Sequence, residues 1–369
     1  MDSETSLTSH LAPTQETLRR RVTIADLGAI VHVDELPAAA LAELPALYSS
    51  PFSIAEYFAI YDHPRRLYGC ELDEPRHVIA FTSRGATADV LNKSFAMGPA
   101  ETARVARAIF RARPEIRRIR TELSYPPREL DLPLRELHRS DEQVLELPES
   151  EEAYERLLGA STRKRVRGYR NRLARKYPDF ELRTIEREEI SLALVEQIYD
   201  WNQQRIRIKG QQWGFRDQRT VSHRLWRLLQ SHGLALCGYI GGDCVAGMLS
   251  MYVGGECWAR TAGFDPVYMD VDLGQLMMFF FIRDCISRGC AHAHLGWGTT
   301  TYKQRLGAAP VTTYRASLYR SRLDKALYAR ELWWLVNDTY WRLHGEAKRQ
   351  MAALASWRAR QDSNLRPSD

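Results

Sequence analysis

Two glycine-rich turns, Gly241-Gly242-Asp243 and Gly254-Gly255-Glu256, cut a stretch of apolar sequence into three runs. Each turn is too short for anything but a tight reversal, and paired glycines suit the positive φ that such reversals need. Leu234 to Ile240, Cys244 to Val253 and Cys257 to Phe264 are therefore predicted to form an antiparallel meander. A break at Asp265-Pro266 follows, then a predicted helix from about Asp272 to Arg288. Its Leu273, Leu276, Met277, Phe280, Phe281 and Cys285 leave almost no polar side, so it must lie against a sheet. After Gly289 a short strand, Ala291 to Leu295, runs into Gly296-Trp297-Gly298. A helical turn with Tyr302 and Lys303 and a strand over Thr312 to Leu318 complete the series. The fold class is mixed α+β.

The chain has 369 residues, which suits two cores rather than one. Residues 1–20 read as a polar, disordered tail, 21–150 as a first unit, 151–322 as a second, 323–357 as a C-terminal helix (clearest over Leu323 to His344), and 358–369 as a second disordered tail. The first unit offers strands near Ala29 to Val33, Arg66 to Glu71, Arg76 to Thr82, Ile116 to Glu122 and Val144 to Leu147. Its helices are placed around Ala38 to Leu47, Ile54 to Ile60 and Glu101 to Arg113, the last stopped by Pro114. The second unit opens with a helix from Glu151 to Gly159 and another from Thr162 to Lys176. That second helix sets Val166, Tyr169 and Leu173 on one side and eight Arg or Lys residues elsewhere, including Arg165, Arg167 and Arg172. A strand at Phe180 to Thr184 and helices at Ser191 to Ile208 and Thr220 to Ser231 lead into the meander.

Several classes can be set aside. Hydrophobic residues are 44% and charged residues 27%, ordinary for a folded chain. The longest apolar run, Leu273 to Ile282, is broken at Gln275 and too short to span a bilayer, and the N-terminus lacks a secretory signal, so a cytoplasmic location and no membrane span are expected. The six cysteines include no C-x-x-C pair, which fits reduced, packed thiols. Cys290, His292 and His294 alternate along a strand and would share one face, but no fourth ligand is apparent and no metal is expected. The net charge of +6 permits anionic partners without requiring them. The last residues, Gln361 to Asp369, read as an extension translated from an adjoining tRNA gene, because Asp-Ser-Asn can be encoded by the complement of a tRNA T-arm.

Meander, break, buried helix, strand, short helix, strand is also the order of the second half of a GNAT fold. Gly263, Asp265, Tyr268, Gly274, Gly298, Tyr302, Lys303 and Gly307 stand in the pattern of the CelD/BioF-like branch, the cellulose-biosynthesis-type acetyltransferases. The chain resembles that branch over about Leu157 to Leu318, and the branch is similar to Fem-type aminoacyl transferases, which carry the GNAT unit twice. The resemblance implies a tandem GNAT-like protein whose first unit is degenerate. Its activity would be transfer of an acetyl or other acyl group from acetyl-CoA or another acyl-CoA to an amine of a small molecule, glycan or peptide. A Fem-type enzyme taking its donor from aminoacyl-tRNA, with tRNA on the basic helix, is an alternative. A non-catalytic GNAT-like binding protein is another.

Such a reaction needs a held carrier, a neutral amine, a stabilised oxyanion and a proton for the leaving group. The resemblance places the carrier's pyrophosphate on the amides that open the long helix, at Val271, Asp272, Leu273, Gly274 and Gln275, with Arg165 alongside. Gly274 would permit close approach of the backbone. This turn has one glycine and two aspartates where most GNAT domains have an Arg or Gln and two glycines, which keeps the tRNA alternative open. Asp272 is equally suited to capping the helix. Asp265 is the expected base and Tyr302 the expected acid, although Asp265 before Pro266 is also an ordinary turn residue. Tyr268, Trp297 and Lys303 are expected to bind the acceptor or substrate.

Overall fold

The computed structural model describes residues 21–61, 66–92, 97–208, 218–297 and 301–328. In chain order the first half contains β1 (Arg21–Ile24), β2 (Ala29–His32), α1 (Ala38–Tyr48), α2 (Ala55–Tyr61), β3 (Tyr68–Leu72), β4 (His77–Arg84), β5 (Thr87–Val90), α3 (Pro99–Ala112), β6 (Arg118–Leu123) and β7 (Leu134–Glu146). The second half contains α4 (Glu151–Leu157), α5 (Ala160–Lys176), β8 (Glu181–Glu186), α6 (Leu192–Ile208), α7 (Gln218–His232), β9 (Gly233–Ile240), β10 (Asp243–Val253), β11 (Glu256–Phe264), α8 (Leu273–Ser287), β12 (His292–Trp297), α9 (Thr301–Arg305), β13 (Ala309–Tyr319) and α10 (Arg322–Leu327). The expected helix beyond Leu327, both expected tails and Gly298 lie outside the described residues.

The strands of the described residues form one 13-stranded sheet in the order β1-β2-β3-β4-β5-β6-β13-β7-β12-β11-β10-β9-β8. This order repeats itself about its middle. On one side the antiparallel run β3-β4-β5 leads through α3 to β6, which lies parallel to β5. On the other, the antiparallel run β9-β10-β11 leads through α8 to β12, which lies parallel to β11. Each parallel pair is then closed by a strand from the opposite half: β13 lies antiparallel to β6, and β7 lies antiparallel to β12. β7 and β13 pair with each other over Leu134 to Val144, so the two halves are stitched together at the centre. The sheet therefore runs unbroken past residue 150.

The meander and its turns agree with the sequence expectation, with Gly241, Gly242, Gly254 and Gly255 all at positive φ. α8 buries Leu276, Met277 and Phe281 against Val245, Met248 and Ala293 on one face of the sheet. α6 and α7 cover the other face, where Ile198 and Leu228 meet Leu249, Met251 and Trp258. The close docking of α6 depends on two glycines that pair across β10 and β11, Gly247 and Gly263. A Cβ on Gly247 would stand 2.2 Å from Ile198 Cδ1, and one on Gly263 would stand 2.2 Å from the Ile198 carbonyl oxygen. In the first half α3 packs on the sheet with Val105 and Ile109, and that core takes in Ala316 and Leu318 of β13.

Candidate functional site

β11 and β12 are paired only at Glu256–His292, Cys257–Ala293 and Trp258–His294. Beyond that point the register with β10 skips Arg260, a bulge that adds one residue to β11 and turns it away. Past this divergence the chain makes a 3-10 turn over Pro266–Val271 before α8 begins.

The turn that should meet the carrier's phosphates is already engaged. Lys176 pairs with Asp270, while Arg172 donates to the Asp270 carbonyl at 2.8 Å and stands 3.9 Å from Asp272. Two cations of α5 thus latch that helix onto the turn. Asp272 is the N-cap residue of α8 by position, yet it is left-handed (φ 54°) and its side chain makes no capping hydrogen bond. Val271 and Leu273 point into the core with no exposure. Gly274 faces Phe264 at the end of β11, whose Cε1 would lie 2.7 Å from an added Cβ. Its missing side chain serves contact between the strand and the helix.

The open space lies beside that turn. A small cleft of about 20 Å³ is lined by Thr162, Arg165, Val166 and Tyr169 of α5, Gln275 and Leu276 in the first turn of α8, and Tyr302, Arg305 and Leu306 at α9. It brings together three residues singled out in the sequence, Arg165, Gln275 and Tyr302. Arg305 was not anticipated, although its i+3 spacing from Tyr302 within one short helix is a readable signal. Among the described residues neither Arg165 nor Arg305 forms an ion pair, so both guanidinium groups can meet an anion. Lys303, next to Tyr302, is buried, with 6% of its surface exposed. Its Nζ donates to the carbonyl oxygens of Gly296 and Trp297 at 3.1 and 3.2 Å, tying α9 to the end of β12. Burial pushes the ammonium down to about 8, with Glu142 opposing and Arg205 reinforcing the shift.

The remaining expected residues sit apart from the cleft lining. Asp265 Oδ1 accepts from the Val267 amide at 3.0 Å, the geometry of a turn cap. Tyr268 packs edge-on against Tyr177, ring centroids 5.1 Å apart. Trp297 ends β12 with 44% of its surface exposed.

Cys290 and the two histidines do not share a face, which corrects the alternation expected from sequence. Cys290 lies before the first residue of β12, in a bend where the period of two does not apply, and packs under α8. His294 faces the α6 side, stacked on Trp258 at 3.5 Å, with Nδ1 3.4 Å from Glu142 and Nε2 3.6 Å from Glu256. Burial alone would push this imidazole down, but the two carboxylates more than offset it and its pKa is raised. Glu142 comes from β7 in the other half of the chain, so no sequence spacing could have connected it to His294.

With this geometry in place, residues 160–304 match the family described as "Acetyltransferase (GNAT) domain". Those residues have a GNAT acetyltransferase-like fold. The fold is that of a larger set of solved proteins at low identity. The C-terminal domain (DUF2156) of a protein described as a lysylphosphatidylglycerol synthetase from Agrobacterium fabrum is similar at 10% identity and a TM-score of 0.50, over 80% of this chain and 94% of that one. FemX is similar at 7% identity and a TM-score of 0.53, over 75% of this chain and 94% of that one. A conserved Bacteroides thetaiotaomicron protein of unknown function is similar at 13% identity and a TM-score of 0.50, over 76% and 97%. No curated protein matches the sequence. Together the domain match and the GNAT-type fold support an acyltransferase enzyme. Among the described residues no helix is long and apolar enough to cross a membrane.

Proposed function

We propose that the protein transfers an acyl group from an activated carrier to an amine, with the carrier's anionic part held in the cleft between α5, α8 and α9. The observation that carries this reading is the convergence of Arg165, Gln275, Tyr302 and Arg305 on one opening beside the start of α8. Two guanidinium groups without an ion pair among the described residues and the positive end of a 15-residue helix make this cleft attractive to a phosphate. Tyr302, in the lining of the same cleft, would give a proton to the leaving group. Asp265 accepts from the Val267 amide and holds the turn, a positioning role in place of proton transfer. Val271, Leu273 and Gly274 shape the helix start from the core side, and exposed Trp297 offers a face to the acceptor. An acyl-CoA is the leading donor.

A second reading rests on the outer face of α5. Arg163, Lys164, Arg165, Arg167, Arg170 and Arg175 are all exposed along one helix, enough charge to track a nucleic-acid backbone. An aminoacyl-tRNA donor would use this face as well as the cleft.

Calorimetry with acetyl-CoA and longer acyl-CoAs decides between them. Loss of one charge-assisted contact costs about 1.5–3 kcal/mol, so Arg165→Glu and Arg305→Glu should each weaken acyl-CoA binding roughly 10- to 100-fold. If no CoA ester binds, and tRNA binds with a steep salt dependence that Arg167→Glu and Arg170→Glu reduce, the donor is the tRNA.

A further inference from the structure

Cys257, Cys285 and Cys290 come from three different elements and converge: their sulfur atoms all lie within 4.8 Å of one another. Cys257 is on β11, Cys285 in the last turns of α8, and Cys290 in the bend that leads into β12. All three are buried, with exposures of 0%, 0% and 6%. We propose that this cluster is a structural site for a thiophilic divalent cation of the zinc class, which pins the C-terminal end of α8 to the sheet.

The geometry needs little adjustment. With metal–sulfur bonds of about 2.3 Å, three thiolates at tetrahedral angles stand about 3.8 Å apart, so the sulfur atoms must close by at most about 1 Å. Side-chain rotation within a rotamer well provides most of that. The backbone is already arranged around the cluster, since the Cys290 amide donates to the Cys285 carbonyl at 3.1 Å through the turn at Gly289. Three cysteine sulfurs make up the donor set, with the Ser250 hydroxyl beside Cys257, a set that suits a soft cation and disfavours magnesium and calcium. Binding replaces the thiol protons by the metal, so three protons leave for each cation when all three ligands are thiolates.

The site is separate from the acyl-transfer cleft. Cys257 and Phe264 are the near and far ends of β11, about 23 Å apart at about 3.3 Å per residue. The metal would act on the cleft only through α8, which it anchors at one end while Gln275 and Leu276 line the cleft at the other.

The test is titration of the fully reduced full-length chain with Cd²⁺, followed by thiolate-to-metal charge-transfer absorption. Saturation at one equivalent, displacement by Zn²⁺, and at least tenfold weaker binding in Cys290→Ala are expected, with no change in Cys244→Ser. No band at one equivalent, or the same band in the Cys257→Ser/Cys285→Ser/Cys290→Ser chain, overturns the proposal. Because such variants can fail to fold, iodoacetamide labelling of the natural chain in urea concentrations that open the buried thiols, with and without Zn²⁺, mapped by mass spectrometry, gives an independent reading. Protection of these three cysteines and no other supports the site, and equal labelling overturns it.

Discussion

Lys303 is a lysine whose surroundings work against its charge. The ammonium is buried, and two carbonyl oxygens and the nearby Glu142 are its compensation. Because burial lowers its pKa from the ordinary 10.5 to about 8, the unfolded chain holds a proton between those values that the folded chain has released. Stability should therefore rise with pH from about 8 towards 10.5, the sign expected for a depressed cation. Urea unfolding across that window should show the rise in the natural chain and a flatter profile in Lys303→Met. An identical slope in the variant would mean that Lys303 titrates like an exposed lysine. The sequence marked Lys303 as a residue of interest and Tyr302 and Arg165 as its partners in function. It could not show that Lys303 turns inward, because Glu142 of β7 and Arg205 of α6, which act on its ammonium, lie about 160 and 100 residues away in sequence.

At the scale of elements, two glycines make opposite predictions. Gly263→Ala would force its Cβ to within 2.2 Å of the Ile198 carbonyl oxygen, so α6 must move. Overpacking of this kind costs about 1–3 kcal/mol, which a shift in the chemical-denaturation midpoint would measure. Gly168 is inside α5 with nothing within 4 Å of an added Cβ. Gly168→Ala should raise stability by about 0.5–1 kcal/mol, because alanine restricts the unfolded chain without meeting a neighbour. A gain from Gly263→Ala, or a loss from Gly168→Ala, would contradict the packing described. The meander and α8 were legible in the sequence because turn glycines and an apolar helix are local signals. β1 and β5 were not, since RVTI and TADV are four residues each and too short to establish a period. β7 was seen only at its apolar end. The full strand, LRELHRSDEQVLE, is polar over most of its length and held by backbone pairing on both sides.

For the whole molecule the decisive feature is the exchange of β7 and β13. Each half supplies the strand that closes the other half's parallel pair, and the topological repeat has no readable counterpart in the residues. We propose that the two sequence units, 21–150 and 151–322, are tandem GNAT-like units that share this central pair. A fragment beginning at residue 151 would lack β7 and expose the edges of both β12 and β13, so it should be insoluble or fail to give the far-ultraviolet dichroism of folded sheet. The full chain should unfold in one transition, with tryptophan fluorescence and dichroism coinciding. Two separated transitions, or a well-folded fragment, would show that the central pairing is dispensable.

The same exchange fixes an order in time during synthesis. β6 leaves the ribosome early, yet its neighbour β13 begins 186 residues after β6 ends, from 123 to 309. At synthesis rates of about 5–20 residues per second, that edge stays open for roughly 10 to 40 s. The sheet can be neither started from its centre nor completed from one end, and the nascent first half depends on protection of β6 until nearly all of the described chain has been made.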